Sequence, residues 1–234
     1  MSRWVWKYAR KSCGEQTATF RAMGKRTLSS LVTGSLLLAL PFIFLGSGGA
    51  IEKGSATDAV KRTVDRVMQI LSDETLKQPD RVQERRELVE AAANQLVNYE
   101  EMGKRALGRQ WKTLSAEERQ EFVRLFRQFL SRTYGGKFEE YSGEKVRYLG
   151  ERLKGNFAEV RTKFISSKLE VPMDFRLLWE TGRWGVYDIV VDGVSLVKNY
   201  RAQFSRIIRH SSYQALLEKL KKKTDIQADL TKTP

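Results

Sequence analysis

Few side chains in this sequence have the types and spacing that bond-making chemistry needs. The chain has one cysteine, Cys13, and one histidine, His210. An internal disulfide, a Cys-based zinc site, a multi-histidine metal centre and an HExxH helix are therefore excluded. A Ser–His–Asp triad would have to run through His210 alone. That residue follows Arg209 at the end of a helical pattern, where the helix dipole favours cations, and reads as a solvated terminal residue. The remaining candidates for acid–base work are the carboxylates Asp174, Asp188 and Asp192. Asp192-Gly193 is turn chemistry, and Asp188 reads as a hydrogen-bonded structural acid.

The composition points the same way. Of 234 residues, 41% are hydrophobic and 30% charged, enough apolar surface for a packed core of one or two domains. The net charge is +14. Residues 1–50 carry seven basic residues and one acid, Glu15, and the rest of the chain mixes 35 basic with 27 acidic residues. A moderately basic, well-mixed surface favours an anionic partner, nucleic acid or phospholipid head groups alike.

The first fifty residues read as an address. Leu31 to Leu45 is an uncharged apolar run of fifteen residues, ~22 Å of helix against the ~30 Å bilayer core. Arg21, Lys25 and Arg26 precede it, and Gly48 and Ala50 supply small residues at −3 and −1 of a cleavage site after Ala50. The expectation is a cleaved secretory signal peptide over 1–50, with an uncleaved anchor as the alternative. Gly46-Ser47-Gly48-Gly49 belongs to that segment and is no phosphate loop. The basic region is long for a signal, and a start at Met23 would give it an ordinary length.

From there the pattern is helices, then strands, then helices, an α+β arrangement in one domain over 51–223 with a flexible tail at 224–234. Val60, Val64, Val67, Met68 and Leu71 recur at helical spacing within Ala56–Leu71. Gln78-Pro79-Asp80 breaks the chain, and helices over Val82–Leu96 and Tyr99–Leu107 follow, the second ended by Gly108. Ser115-Ala116-Glu117-Glu118 is a capping box opening a helix with Phe122, Leu125, Phe126, Phe129 and Leu130 on one side. Four strands follow at period two: Lys145–Leu153, Phe157–Ile165, Val171–Glu180 and Arg183–Val191. A two-residue turn at Thr181-Gly182 sets Trp179 opposite Trp184. It also predicts Met173, Phe175, Leu177 and Trp179 on the same face as Trp184, Val186 and Val190, with Leu178, Tyr187, Ile189 and Val191 on the other. Both faces are then apolar, and both call for cover. Ser195 caps a helix over Leu196–Arg209, and Ser211 or Ser212 caps the last.

Patterning alone does not separate a filled core from a lined cavity on that sheet. The stretch Trp184-Gly185-Val186-Tyr187-Asp188-Ile189-Val190-Val191-Asp192-Gly193-Val194-Ser195-Leu196-Val197-Lys198-Asn199-Tyr200-Arg201-Ala202-Gln203-Phe204 resembles the MlaC, or toluene-tolerance, family of bacterial periplasmic lipid carriers. Upstream, Ala106-Leu107-Gly108-Arg109-Gln110-Trp111 and Leu114-Ser115-Ala116-Glu117-Glu118-Arg119-Gln120-Glu121-Phe122 look like its LGxxW and helix-opening pattern. Asn98-Tyr99-Glu100 stands where the family often has Phe-Asp-Phe.

The resemblance covers roughly residues 56–223. It implies a cone-shaped α+β domain whose curved antiparallel sheet of about four strands and its helices enclose an apolar lipid cavity. It implies a soluble periplasmic shuttle that is not an enzyme and uses no cofactor or metal. The shuttle carries phospholipid, or a hopanoid-type lipid, between an outer-membrane lipoprotein complex and an inner-membrane ABC transporter with an MCE-domain ring, maintaining outer-membrane lipid asymmetry. The candidate lipid-contacting residues are Val160, Phe164, Met173, Phe175, Leu177, Trp184 and Val186 from the sheet and Tyr200 and Phe204 from a helix. Tyr187, Asp188 and Arg201 read as a polar cluster joining strand to helix. Three rival readings remain. They are an isomerase- or cyclase-like enzyme using Asp188, a nucleic-acid binder, which export and the interspersed acids disfavour, and a solid-cored envelope scaffold.

Overall fold

The computed structural model describes residues 54–135, 141, 143–167 and 169–230, with side chains to residue 223. The expected signal peptide and its cleavage point, and the Met23 start, lie outside the described residues. No described helix is long and apolar enough to cross a membrane.

Most of the helices begin where the sequence supplies a side-chain cap. Helix α1 (Ala56–Ser72) is capped by Ser55, whose side chain accepts the Asp58 amide. Two short 3-10 turns at Thr75–Lys77 and Pro79–Arg81 lead into α2 (Val82–Asn94). Helix α3 (Tyr99–Leu107) is capped by Asn98 and ends at Gly108, whose φ of +60° is the left-handed conformation glycine adopts freely. A 3-10 stretch at Gly108–Thr113 leads to α4 (Ala116–Gly135). There the capping box forms as expected: the Ser115 amide donates to Glu118 Oε2 at 2.8 Å, and the Glu118 amide donates to Ser115 Oγ at 3.2 Å.

The strands β1 (Lys145–Lys154), β2 (Phe157–Ile165), β3 (Glu170–Glu180), β4 (Arg183–Val191) and β5 (Val194–Ser195) form one antiparallel sheet in sequence order. The fifth is a two-residue addition to the four expected. Helices α5 (Leu196–His210) and α6 (Tyr213–Leu230) close the chain, so the backbone is helical well into the expected tail.

The Thr181-Gly182 hairpin gives the expected register, with Trp179 opposite Trp184 and Glu180 opposite Arg183. The expectation fails farther along β4. Arg176 pairs with Asp188 and Leu177 with Val186, so Tyr187 is an extra residue, a β-bulge. The bulge advances the side-chain alternation by one. Ile189 and Val191 therefore stand on the face of Phe175 and Met173, and Val190 turns to the face of Asp174. A second bulge inserts Leu149 between Tyr148 and Gly150 in β1.

The two faces of the sheet are not both apolar as expected. The face away from α1 carries Arg147, Arg152 and Lys154 from β1, Glu159, Arg161 and Lys163 from β2, and Arg176 from β3. It is a charged surface over most of its width. Its apolar part is the β4 end, which α3 and α5 cover.

The interior divides into separate clusters. One is helical: Phe122, Phe126 and Phe129 of α4 interlock with Tyr200 and Phe204 of α5, with centroids 5.4–6.5 Å apart. Another lies between α1 and the sheet, and a third joins the end of α1 to α2.

Candidate functional site: the half-covered apolar face of the sheet

The N-terminal half of α1 lays Ala56, Val60 and Val64 on Ala158, Val160, Phe175, Leu177, Trp184 and Val186, and all of these are buried. Toward its C-terminal end Met68 still packs against this cluster, while Ile70 and Leu71 pack on Leu76, Val89 and Ala92. Beyond the covered end the same sheet face continues as Val146, Tyr148, Phe164, Met173 and Ile189, which are only half-buried. The apolar surface is therefore sealed at one end and partly open at the other.

Long-range contacts fix the sealed end. Glu151 Oε2 accepts from the Thr57 amide and the Thr57 hydroxyl, each at 2.7 Å, and from the Ser55 hydroxyl at 3.2 Å. A β1 carboxylate thereby caps the N-terminus of α1. Partial burial pushes the Glu151 pKa up, but the hydrogen bonds from Thr57 and Ser55 outweigh it and leave it below the usual carboxylate value. The Trp184 indole N–H also donates to the Gly54 carbonyl.

The open end carries one unusual polar atom. The Tyr148 hydroxyl is buried with no hydrogen-bond partner among the described residues. Burial, then the nearby Asp65 carboxylate, pushes its pKa up to about 12, so it is a neutral donor. The other partly polar group on this face, Thr162, is satisfied by the Met173 carbonyl.

Seven of the nine sequence-predicted residues come together here: Val160, Phe175, Leu177, Trp184 and Val186 at the covered end, Phe164 and Met173 at the half-open end. Tyr200 and Phe204 do not join them. Both are 3% exposed inside the helical aromatic cluster, where the Tyr200 hydroxyl lies 3.0 Å from that of Tyr134. Sequence reasoning missed Tyr148, Val146 and Ile189. Strict alternation along β1 would have flagged the first two, whereas Ile189 was hidden by the bulge.

The polar candidates turn out to be builders. Asp188, 3% exposed, accepts from Ser195 Oγ at 2.7 Å, the Val197 amide at 3.1 Å and Arg176 Nη1 at 3.1 Å, holding the start of α5 against β4. It lies on the far side of the sheet from the half-open face. Asp174 shares that far face and Asp192 is an exposed turn residue with φ +48°. His210 is exposed in the last turn of α5. Among the described residues no group of three or more His, Cys, Asp or Glu side chains could hold a metal. Arg201 packs its guanidinium against Gly108, where an added Cβ would lie 2.9 Å from Nε.

The arrangement is that of an α+β protein with a half-covered apolar surface between one helix and a bulged sheet. The chain belongs to the MlaC family: the MlaC protein model matches residues 61–222. A curated relative is the intermembrane phospholipid transport system binding protein MlaC of Haemophilus influenzae. It is 28% identical over 130 residues, 53% of this chain, and the match spans 61% of that relative's length. A solved structure of a phospholipid-binding protein from Ralstonia solanacearum, in complex with a phospholipid, superposes with TM-score 0.67 and 25% identity. It matches 75% of this chain and 99% of its own.

Proposed function

We propose that this chain is a periplasmic lipid carrier that holds phospholipid acyl chains on the sheet face beneath α1. The observation that carries the reading is the graded burial of that face, from Leu177 at 0% exposure to the half-buried Phe164 and Met173. A hydrocarbon chain gains about 0.8 kcal/mol for each CH₂ it removes from water. A sixteen-carbon chain therefore brings roughly 12 kcal/mol of gross driving force, which an apolar surface can supply without catalytic groups. The phospholipid in the Ralstonia protein and the transport system named for the Haemophilus relative support the cargo class.

The carrier passes lipid between an outer-membrane lipoprotein complex and an inner-membrane MCE-domain ABC transporter, and so serves outer-membrane lipid asymmetry. It is not an enzyme and it needs no cofactor. Asp188, the acid an enzymatic alternative requires, is occupied by three donors on the opposite side of the sheet. The test is native mass spectrometry of protein isolated without detergent, followed by lipid extraction. A bound phospholipid mass, about one per chain, is the expected result. A hopanoid mass would keep the carrier and change the cargo. A clean apo mass with no uptake from liposomes would overturn the reading and make the sheet face ordinary core.

A further inference from the structure

Four large apolar side chains are exposed among the described residues, and all four fall within residues 149–169. Leu149 (45%) and Leu153 (60%) are on β1, Phe157 (42%) begins β2, and Leu169 (42%) follows β2. The two strands, residues 145–165, also hold six basic and two acidic residues. Both acids are engaged: Glu151 caps α1 and Glu159 pairs with Arg176 at 3.4 Å. Lys163 is held by Glu170 at 2.9 Å. Arg147, Arg152, Lys154 and Arg161 are all exposed, and none makes an ion pair among the described residues. Arg147 stands directly opposite Lys163 with the Glu170 carboxylate near both, while Arg152 faces Glu159 and Arg161 faces Asp174 across the sheet without closing to an ion pair.

We infer that the β1–β2 hairpin docks edge-on to an anionic phospholipid bilayer, the arginines of the face away from α1 meeting head-group phosphates while Leu149 on that face and Leu153 on the α1 face enter the interface along the β1 edge. Charge complementarity selects the occupant. Leucines amid unpaired cations suit an interfacial, negatively charged surface. Strand addition is disfavoured although β1 is an edge strand, because the Leu149 bulge, Gly150 at φ +140° and the row of cations are devices that block edge pairing. The inward residues of the same strand, Val146 and Tyr148, belong to the half-open apolar face. Docking through β1 therefore brings the rim of that face to the bilayer.

The test places a polarity-sensitive fluorophore on the full chain with Cys13→Ser and Leu153→Cys, and on a control with Lys112→Cys in the helical layer. Vesicles are phosphatidylcholine alone or mixed with phosphatidylglycerol. The expected result is a blue shift at position 153 on the anionic vesicles only, reversed by salt as screening shortens to a few ångströms near 1 M. Each basic residue near an anionic surface raises affinity about fivefold, so Arg147→Gln/Arg152→Gln/Arg161→Gln lowers vesicle affinity about a hundredfold. No shift, an equal shift on neutral vesicles, a shift at position 112 instead, or a shift only with an acidic protein overturns the inference. Lipid content by native mass spectrometry is read on the same variants. Loss of surface binding with cargo retained separates this inference from the carrier reading, and absence of cargo from every variant would sink the carrier reading alone.

Discussion

Replacing Asp188 with alanine is the sharpest test of the polar joint between β4 and α5. The carboxylate, 3% exposed, accepts from Ser195 Oγ, the Val197 amide and Arg176. Alanine leaves all three donors without that acceptor and removes the second cap of α5, whose first is Ser195 accepting the Lys198 amide at 3.0 Å. Breaking a fully buried charged pair costs about 3–5 kcal/mol. Arg176 keeps 31% of its side chain in solvent, so the lower end applies, about 3 kcal/mol. For a chain of this size, 1 kcal/mol moves Tm by about 2–4 °C, giving a fall of roughly 6–12 °C. Asp188→Asn keeps an acceptor but loses the charge facing Arg176, and costs about 1–2 kcal/mol. Urea and thermal unfolding of the three proteins read these values. Lipid content in the folded fraction stays at wild type. An alanine variant within about 0.5 kcal/mol of wild type would refute the structural account of this acid. A stable variant that lost activity on a lipid substrate would restore Asp188 as a reacting group.

Other outcomes follow from single contacts. Glu151 has a folded pKa below the ordinary carboxylate value, so the stability it gives is present above that ordinary value and is lost as pH falls through the lower folded one. Glu151→Gln therefore lowers stability at neutral pH and flattens its decline in acid, measured by urea midpoints from neutral to strongly acidic buffer. Tyr148→Phe removes a buried unpartnered hydroxyl and raises lipid-free stability by up to about 1–3 kcal/mol, and a loss there would show that the hydroxyl has a partner. A Cβ at Gly185 would lie 3.0 Å from Asn98 Cβ, where the Asn98 amide donates to the Val186 carbonyl at 2.8 Å. Gly185→Ala should cost about 1–3 kcal/mol by overpacking, visible as a lower Tm.

Local chemistry made much of this fold legible. The Ser115–Glu118 box, the Gly108 stop and the Thr181-Gly182 register all depend on residues within a few positions of each other, and each formed where expected. The face assignment beyond Tyr187 failed because a bulge adds one residue without changing the apolar pattern around it. The separation of Tyr200 and Phe204 from the sheet residues was equally invisible. Their i, i+4 spacing establishes a buried helix face but does not say whether α4 or the sheet receives it. The half-open end of the site was hidden for a related reason: where α1 stops covering the sheet depends on Ile70 and Leu71 choosing α2.

The helical and sheet-face clusters have no buried residue in common. The phenylalanines of α4 and their partners on α5 pack among themselves, while the sheet face carries its own buried end and its own half-buried end. The molecule thus has a chassis and, on the carrier reading, a separate hold whose adjustable part is the half-buried end. Variation in Phe164, Met173 or Ile189 can then retune what fits without reopening the question of whether the protein folds.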